Sequence, residues 1–287
     1  MSVKKWNLVI DVAACHNCHN CFIAAKDEHV GNDIPGYAAP QPLHGHRWID
    51  IRTQERGRAP HLDAAHLPTM CNHCDDAPCV KAGRGAVRKR ADGIVIIDPK
   101  LAVGRRDLVD ACPYGAIWWN EELKLPQHWI FDAHLIDRGW QAPRCVQSCP
   151  TGAMRASHCT DEAIQQQVEA EGLEVLHPEW GTQPRVYYKN LHRYTQRFIA
   201  GSVSAERNGV VDCVAGARVE LLKDGQPRAE ARSDAFGDFK FDHLDPRSGA
   251  WQLRIAHEGY RPATLEVTLA DECVVLGEIR LEAGPTA

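Results

Sequence analysis

The feature that most limits how this chain can fold is the spacing of its cysteines. There are twelve in 287 residues, and nine lie at or before Cys149. Two tight groups stand out, Cys15-x2-Cys18-x2-Cys21 and Cys71-x2-Cys74-x4-Cys79, and two further cysteines each precede a proline, Cys112-Pro113 and Cys149-Pro150. Three thiolates from one short loop can grip three corners of an iron-sulfur cube while the fourth corner takes a cysteine remote in sequence. Zinc is the rival reading, because Cys-x2-Cys knuckles with His16, His19 and His73 nearby suit tetrahedral sites. Each knuckle here carries a third cysteine, however, and both remote cysteines have the proline that goes with cluster ligands, so the pattern favours iron-sulfur. A full triplet of this kind continues to a fourth cysteine four residues after the third. Here those positions are Ala25 and Gly83, so neither triplet supplies a ligand to a neighbouring cluster.

Composition narrows the partners. Hydrophobic residues make up 44% and charged residues 25%, which is ordinary for globular proteins and excludes disorder and collagen. A net charge of -5 gives no general reason to bind nucleic acid. No apolar run approaches the roughly 18 residues that span a bilayer. Lys4 and Lys5 are followed by only a short apolar run before Asp11, which does not read as a secretory signal. The expectation is a cytoplasmic chain, or one exported with a partner that carries the signal. In a reducing compartment Cys159, Cys213 and Cys273 are expected to be free thiols, although the last two are placed where a pair is conceivable.

The expected fold class is α+β with two domains. Residues 1–197 read as a ferredoxin-like domain with few regular elements, because thiolate–cluster bonds can replace regular structure. Short strands are expected at Trp6–Asp11, Gly93–Asp98 and Arg185–Leu191. A connecting helix is expected over 160–172, with Thr160 as cap, Asp161 and Glu162 in the first turn and Gly172 as the stop. Residues 198–287 read as a seven-stranded β-sandwich, with strands at Phe198–Ser204, Ala217–Lys223, Arg228–Ser233, Asp238–Phe241, Trp251–Ala256, Thr264–Leu269 and Val274–Leu281.

Several stretches carry a resemblance. Cys15 to Cys21, the run Cys71-Asn-His-Cys-Asp-Asp-Ala-Pro-Cys79, Cys112-Pro-Tyr-Gly115 and Arg144-Cys-Val-Gln-Ser-Cys-Pro-Thr-Gly152 resemble the iron-sulfur subunits of the dimethyl sulfoxide reductase family of molybdopterin enzymes. Lys26-Asp-Glu-His29, His44-Gly-His-Arg-Trp48, Trp119-Asn-Glu-Glu122 and Arg185-Val-Tyr-Tyr-Lys-Asn-Leu191 are similar to the small subunits of its pyrogallol–phloroglucinol transhydroxylase branch. The likeness covers nearly the whole chain and includes a transthyretin-like, carboxypeptidase-regulatory-like closing domain.

The resemblance implies a nested pairing of motifs. Cys15, Cys18, Cys21 and Cys149 would hold one 4Fe-4S cluster, and Cys71, Cys74, Cys79 and Cys112 the other. Spacing alone leaves the sequential pairing open, with Cys112 and Cys149 exchanged. The family also leads one to expect a third cluster, at places that fall here on Ala25, Trp129, Asp132 and Cys145. Three of those four are not cysteine, and the loss is confined to one cluster's set, so two clusters are expected. Trp118, Trp119 and Trp129 read as shielding or as plain core, and Lys81, Arg84, Arg88, Lys89, Arg90, Arg105 and Arg106 as a solvated basic face or a partner contact.

With no flavin fingerprint, no nucleotide loop and no acid-base constellation, the chain is expected to have no active site of its own. The resemblance implies a large partner subunit carrying molybdenum on molybdopterin guanine dinucleotide, in a phenol hydroxytransferase. One alternative is an electron-transfer subunit of a net-redox phenol hydroxylase or dehydroxylase, or of another oxidoreductase of the family. A shortened relay leans weakly toward transhydroxylation, which returns its electrons within one cycle. An alternative of another class is a zinc-knuckle binding module.

Overall fold

The computed structural model describes residues 2–284. They form two compact units: one runs to Thr53 and resumes over His66–Leu191, and the other is Gln54–Ala65 with the chain from His192 onward. The division thus falls at 191/192 rather than at the expected 197/198, and a segment of the first half joins the second unit. The cause is local. Within that second unit Arg56 donates to Asp242 at 3.1 Å and Arg58 to the Val275 carbonyl at 2.9 Å.

The first unit is built on a three-stranded sheet in the order Met154–Cys159, Lys5–Asp11, Val186–Lys189. The first pair is antiparallel and the second parallel. Trp6 to Ile10 are all buried, as a central strand covered on both faces requires. The polar member of that run, Asn7, donates to the Lys5 and Ser157 carbonyls and accepts from Arg185 at 2.9 Å, so its burial leaves no amide unpaired. Two short antiparallel hairpins, Val87–Lys89 with Val95–Ile97 and Trp118–Asn120 with Leu125–Gln127, complete the regular β-structure near the cysteines.

The helix Asp161–Glu171 forms as expected: Thr160 accepts from the Ala163 N–H and Gly172 ends it at φ +62°. Several elements lie outside the sequence expectations, and two of them are long. One is the helix Asn20–His29, whose buried residues Cys21, Ala25 and His29 recur every four positions. The other is the long hairpin of Ile49–Arg58 and His61–Met70.

The second unit is a two-sheet sandwich. In one sheet Arg197–Arg207 pairs antiparallel with Val210–Cys213 and Asp238–Leu244 and parallel with Val274–Leu281. The other is antiparallel throughout, in the order Gln226–Arg232, Arg218–Lys223, Gly249–Ala256, Ala263–Leu269. Inward-facing residues of both sheets, among them Val203, Val219, Leu221, Phe239, Leu253 and Ile279, form one core. Each such side chain contributes about 1.5–3 kcal/mol by leaving water. The strand additional to the seven expected is Val210–Cys213. All four of its residues are exposed, so no burial alternation announces it. No helix among the described residues is long and apolar enough to cross a membrane.

Candidate metal centres

Cys15 and Cys18 lie on the loop that runs into the helix Asn20–His29, and Cys21 sits in its first turn. Asn17 (φ +55°) and His19 (φ +61°) turn the backbone left-handed between successive cysteines. Asn tolerates that conformation better than most residues, and the two turns let one loop wrap a single point. Cys149 arrives from a stretch far along the sequence, just after the short helix Arg144–Gln147. The structure brings it to the first triplet. Burial pushes the Cys15 thiol up and the Cys21 thiol up to about 12, and the neighbouring thiols, Cys149 among them, add to both shifts. Burial also acts on Cys149, but the Thr151 hydroxyl and the N–H groups of Met154, Thr151 and Ala153 outweigh it and hold that thiol below its ordinary value. A ring of N–H donors around a sulfur stabilises the thiolate, the form that binds metal.

The second gathering is deeper. Cys71 follows the strand His61–Met70, Cys79 opens the helix Pro78–Gly83, and Cys112 follows the helix Asp107–Asp110. His73 (φ +45°) makes the left-handed turn between Cys71 and Cys74. All four cysteines line one cavity, whose wall also includes His73, Val95, Tyr114 and His128. Burial pushes Cys71 far above the usual thiol range, Cys74 to about 11 and Cys79 to about 12; the charges of neighbouring thiols add to each. Cys112 is raised by burial too, opposed by N–H groups of Ala116, Tyr114, Gly115 and Ile117. Lys89 fixes the loop, donating to the carbonyls of His73 (2.8 Å), Cys74 (3.0 Å) and Gly93 (2.9 Å) while pairing with Asp75 at 2.8 Å. Although burial pushes the Asp75 carboxyl up, Arg185 and Lys89 outweigh it and hold it well below the carboxylate range.

The donor sets fit iron-sulfur clusters. Each is four free thiols with no disulfide among them. A 4Fe-4S cube offers one iron to each of four thiolates, and each set supplies four. Cys149 stands with Cys15, Cys18 and Cys21, and Cys112 with Cys71, Cys74 and Cys79.

The residues at the ligand positions expected for a third cluster lie inside the chain. Ala25, Trp129, Asp132 and Cys145 are all buried. Asp132 meets His29 Nε2 at 3.2 Å and accepts the Arg144 backbone N–H at 2.7 Å. Burial pushes the Cys145 thiol far up, and the Asp132 carboxylate and Cys21 add to it. With Ala25, Trp129 and Asp132 at the other three places, Cys145 has no set of four thiols to complete.

The remaining sequence candidates resolve plainly. Trp129 is fully buried, while Trp118 and Trp119 are half-buried. Most of the basic run is spent within the chain: Lys81 on Asp76, Arg88 on the Gly36 carbonyl, Arg90 on Asp92 and Asp137, Arg105 on Asp107, Arg106 on Glu121. Cys159 accepts from Ser157 at 3.3 Å and Cys273 from the Phe198 N–H at 3.3 Å, and Cys213 is exposed. What sequence reasoning missed is the role of Asn17, His19, His73 and Lys89 in shaping the loops. The only available signal was the presence of Asn and His, residues tolerant of positive φ, between the cysteines.

Comparison with known proteins agrees with this geometry. Residues 62–163 match the 4Fe-4S dicluster domain, and residues 199–282 match the carboxypeptidase regulatory-like domain. The chain is 43% identical to the pyrogallol hydroxytransferase small subunit of Pelobacter acidigallici, over 97% of this chain and 100% of that one. It is 32% identical to a subunit of the tetrathionate reductase of Salmonella typhimurium, over 65% of this chain and 73% of the relative. It is 26% identical to the arsenate respiratory reductase iron-sulfur subunit of Shewanella sp., over 64% of this chain and 95% of the relative. By the gathered cysteines, the closing sandwich and this likeness along nearly its full length, the chain belongs to the family of pyrogallol hydroxytransferase small subunits, among the iron-sulfur subunits of molybdopterin enzymes.

Proposed function

We propose that the chain is the electron-transfer and structural subunit of a molybdenum-dependent phenol hydroxytransferase. Its partner is a large subunit that carries the molybdenum, the molybdopterin guanine dinucleotide and all groups that touch substrate. The observation that carries the reading is the convergence of Cys149 on the first triplet and Cys112 on the second. Cys15, Cys18, Cys21 and Cys149 would hold one 4Fe-4S cluster, and Cys71, Cys74, Cys79 and Cys112 the other. Bound there, such a cluster supplies a one-electron store and relay and makes no bond to substrate.

The chain's own residues do three things. The N–H groups around Cys149 and Cys112 favour the thiolate. Lys89 and Asp75 hold the Cys71–Cys79 loop to the strand Val87–Lys89 and to Arg185, fixing the sulfur positions before metal arrives. Tyr114 and Val95 cover the second cavity and keep water from it, which raises the cost of a net charge there. Twelve free cysteines support a reducing compartment, and the cytoplasm is the location we assign.

The test is on the native complex. Purified with its large subunit under anaerobic conditions, it should interconvert trihydroxybenzenes with no added electron acceptor or donor. A strict requirement for an external redox partner would replace transhydroxylation with a net-redox reaction.

A further inference from the structure

A histidine that nothing above employs faces the deeper cysteine set. His128 is 2% exposed and lines the cavity formed by Cys71, Cys74, Cys79 and Cys112. Neither of its ring nitrogens makes a hydrogen bond of ordinary geometry within the protein; the Trp129 carbonyl stands near the ring without completing one. Its place is rigid. The preceding residue, Gln127, donates to the Ala39 carbonyl at 2.8 Å and accepts from Asn120 at 2.9 Å, and the following residue, Trp129, is fully buried. A neutral imidazole carries one N–H whichever tautomer it adopts, so a donor is buried at this wall without a well-placed acceptor. Buried donors in native proteins are paired, and each exception needs a reason.

The wall holds a second unpartnered donor, His73 Nε2, which the His73→Gln variant below separates from His128; the remaining polar groups are spent or cannot donate. Tyr114 shares its hydroxyl with Thr182 at 2.6 Å and reaches the Leu176 carbonyl at 3.3 Å. His73 Nδ1, the nitrogen 3.9 Å from the Cys71 sulfur, accepts the Val95 N–H at 3.1 Å. The unpartnered side-chain atom of Asn72 is its oxygen, an acceptor. Thiolates and inorganic sulfides are acceptors only, so a cluster in this cavity presents what the His128 N–H lacks.

We propose that His128 donates an imidazole N–H to a sulfur of the cluster at Cys71, Cys74, Cys79 and Cys112, and that this bond sets the cluster's reduction potential above that of the same site without it. The proposal rests on the ligand reading given under the proposed function. The physical basis is that one-electron reduction adds negative charge to the sulfurs, so an N–H bond to them strengthens on reduction and favours the reduced form. His128 is a positioning residue in this account: it touches the cluster's electronics and holds no iron.

The test is a redox titration of the whole protein followed by electron paramagnetic resonance, in the wild type, His128→Phe and His128→Gln. The phenylalanine ring keeps the volume and removes the donor, whereas the glutamine amide keeps a donor. In His128→Phe the deeper cluster's reduced-to-oxidised ratio at fixed potential should fall about tenfold, which for a one-electron couple is a shift of about 59 mV to lower potential. The cluster at Cys15, Cys18, Cys21 and Cys149 should not move, and His128→Gln should lie nearer the wild type. Equal shifts in the two variants, or no shift in a His128→Phe protein with its full iron, would overturn the proposal. If neither variant assembled the deeper cluster, the wild type labelled with 15N-histidine decides. A histidine nitrogen coupled to the reduced cluster, retained in His73→Gln, supports the bond, and its absence overturns it. Wild-type protein with no iron at this tetrad would instead overturn the ligand reading itself, and iron analysis reads that before any titration.

Discussion

Arg56→Met should loosen the sandwich unit without touching either cysteine set. The Arg56 side chain has no exposure, and its guanidinium reaches Asp63 at 2.5 Å and Asp242 at 3.1 and 3.3 Å. It also donates to the carbonyl of Gln196 at 3.3 Å, and lies 5.4 Å from the Phe198 ring centroid. Removing one partner of a buried ion pair costs about 3–5 kcal/mol, because the charges left behind are desolvated and unpaired. Here the carboxylates keep a cation each, Asp63 through Arg193 at 2.5 Å and Asp242 through Lys240 at 2.8 Å. That places the loss at the lower end, about 3 kcal/mol, with methionine covering the space of the aliphatic stem. Hydrogen exchange read by mass spectrometry resolves it by segment. Amides of Arg197–Arg207 and Asp238–Leu244 should exchange roughly a hundredfold faster, since each 1.4 kcal/mol is a factor of ten. Peptides spanning Cys71–Cys79 should be unchanged. Less than threefold acceleration in both strands would refute the reasoning, because it would mean the buried guanidinium is no more favourable than an apolar chain.

The same clamp has a pH signature. Burial pushes the Asp242 carboxyl up, but Lys240, Arg56 and the His243 N–H outweigh it and bring it to about 2 from 3.8. A depressed folded value gives stability that is present above pH 3.8 and lost as pH falls toward 2, about 1–2 kcal/mol after screening, and Asp242→Asn should flatten that part of a stability–pH curve. Gly237→Ala should lower the unfolding free energy from urea titration by at least about 2 kcal/mol, because the backbone is left-handed at φ +80° and the new methyl would collide with the Val203 carbonyl oxygen. An unchanged midpoint would show that the turn relaxes freely. Cys149→Ser and Cys112→Ser should each remove about half the iron but different resonance signals, Cys149→Ser matching Cys15→Ser and Cys112→Ser matching Cys79→Ser. The opposite matching would establish the sequential pairing.

How much of this was legible in the sequence depends on the range of the interaction. Thr160, Asp161 and Gly172 are local signals, and the helix they bound forms where they place it. Most of the sandwich strands alternate with period two and are readable, whereas Val210–Cys213 buries nothing and is not. The helix Asn20–His29 is hidden because its buried face is made of Cys21, Ala25 and His29, which no hydrophobic pattern marks. The cysteine spacing announces iron, but which remote cysteine joins which triplet is a tertiary fact that motif spacing leaves open. The His29–Asp132 contact spans 103 residues, and the unpartnered ring of His128 is a property of its packing. Neither has any trace in local sequence.

Two iron cubes held by eight sulfurs, with three of the four thiols of a third set replaced, are the centre of this account. Iron, zinc and acid-labile sulfide measured on the anaerobically purified native protein, together with resonance spectra of the reduced state, test this most directly. We predict about eight irons and eight sulfides per chain and two interacting paramagnetic centres. About twelve irons would contradict the loss of the third cluster, and zinc without iron would contradict the account as a whole.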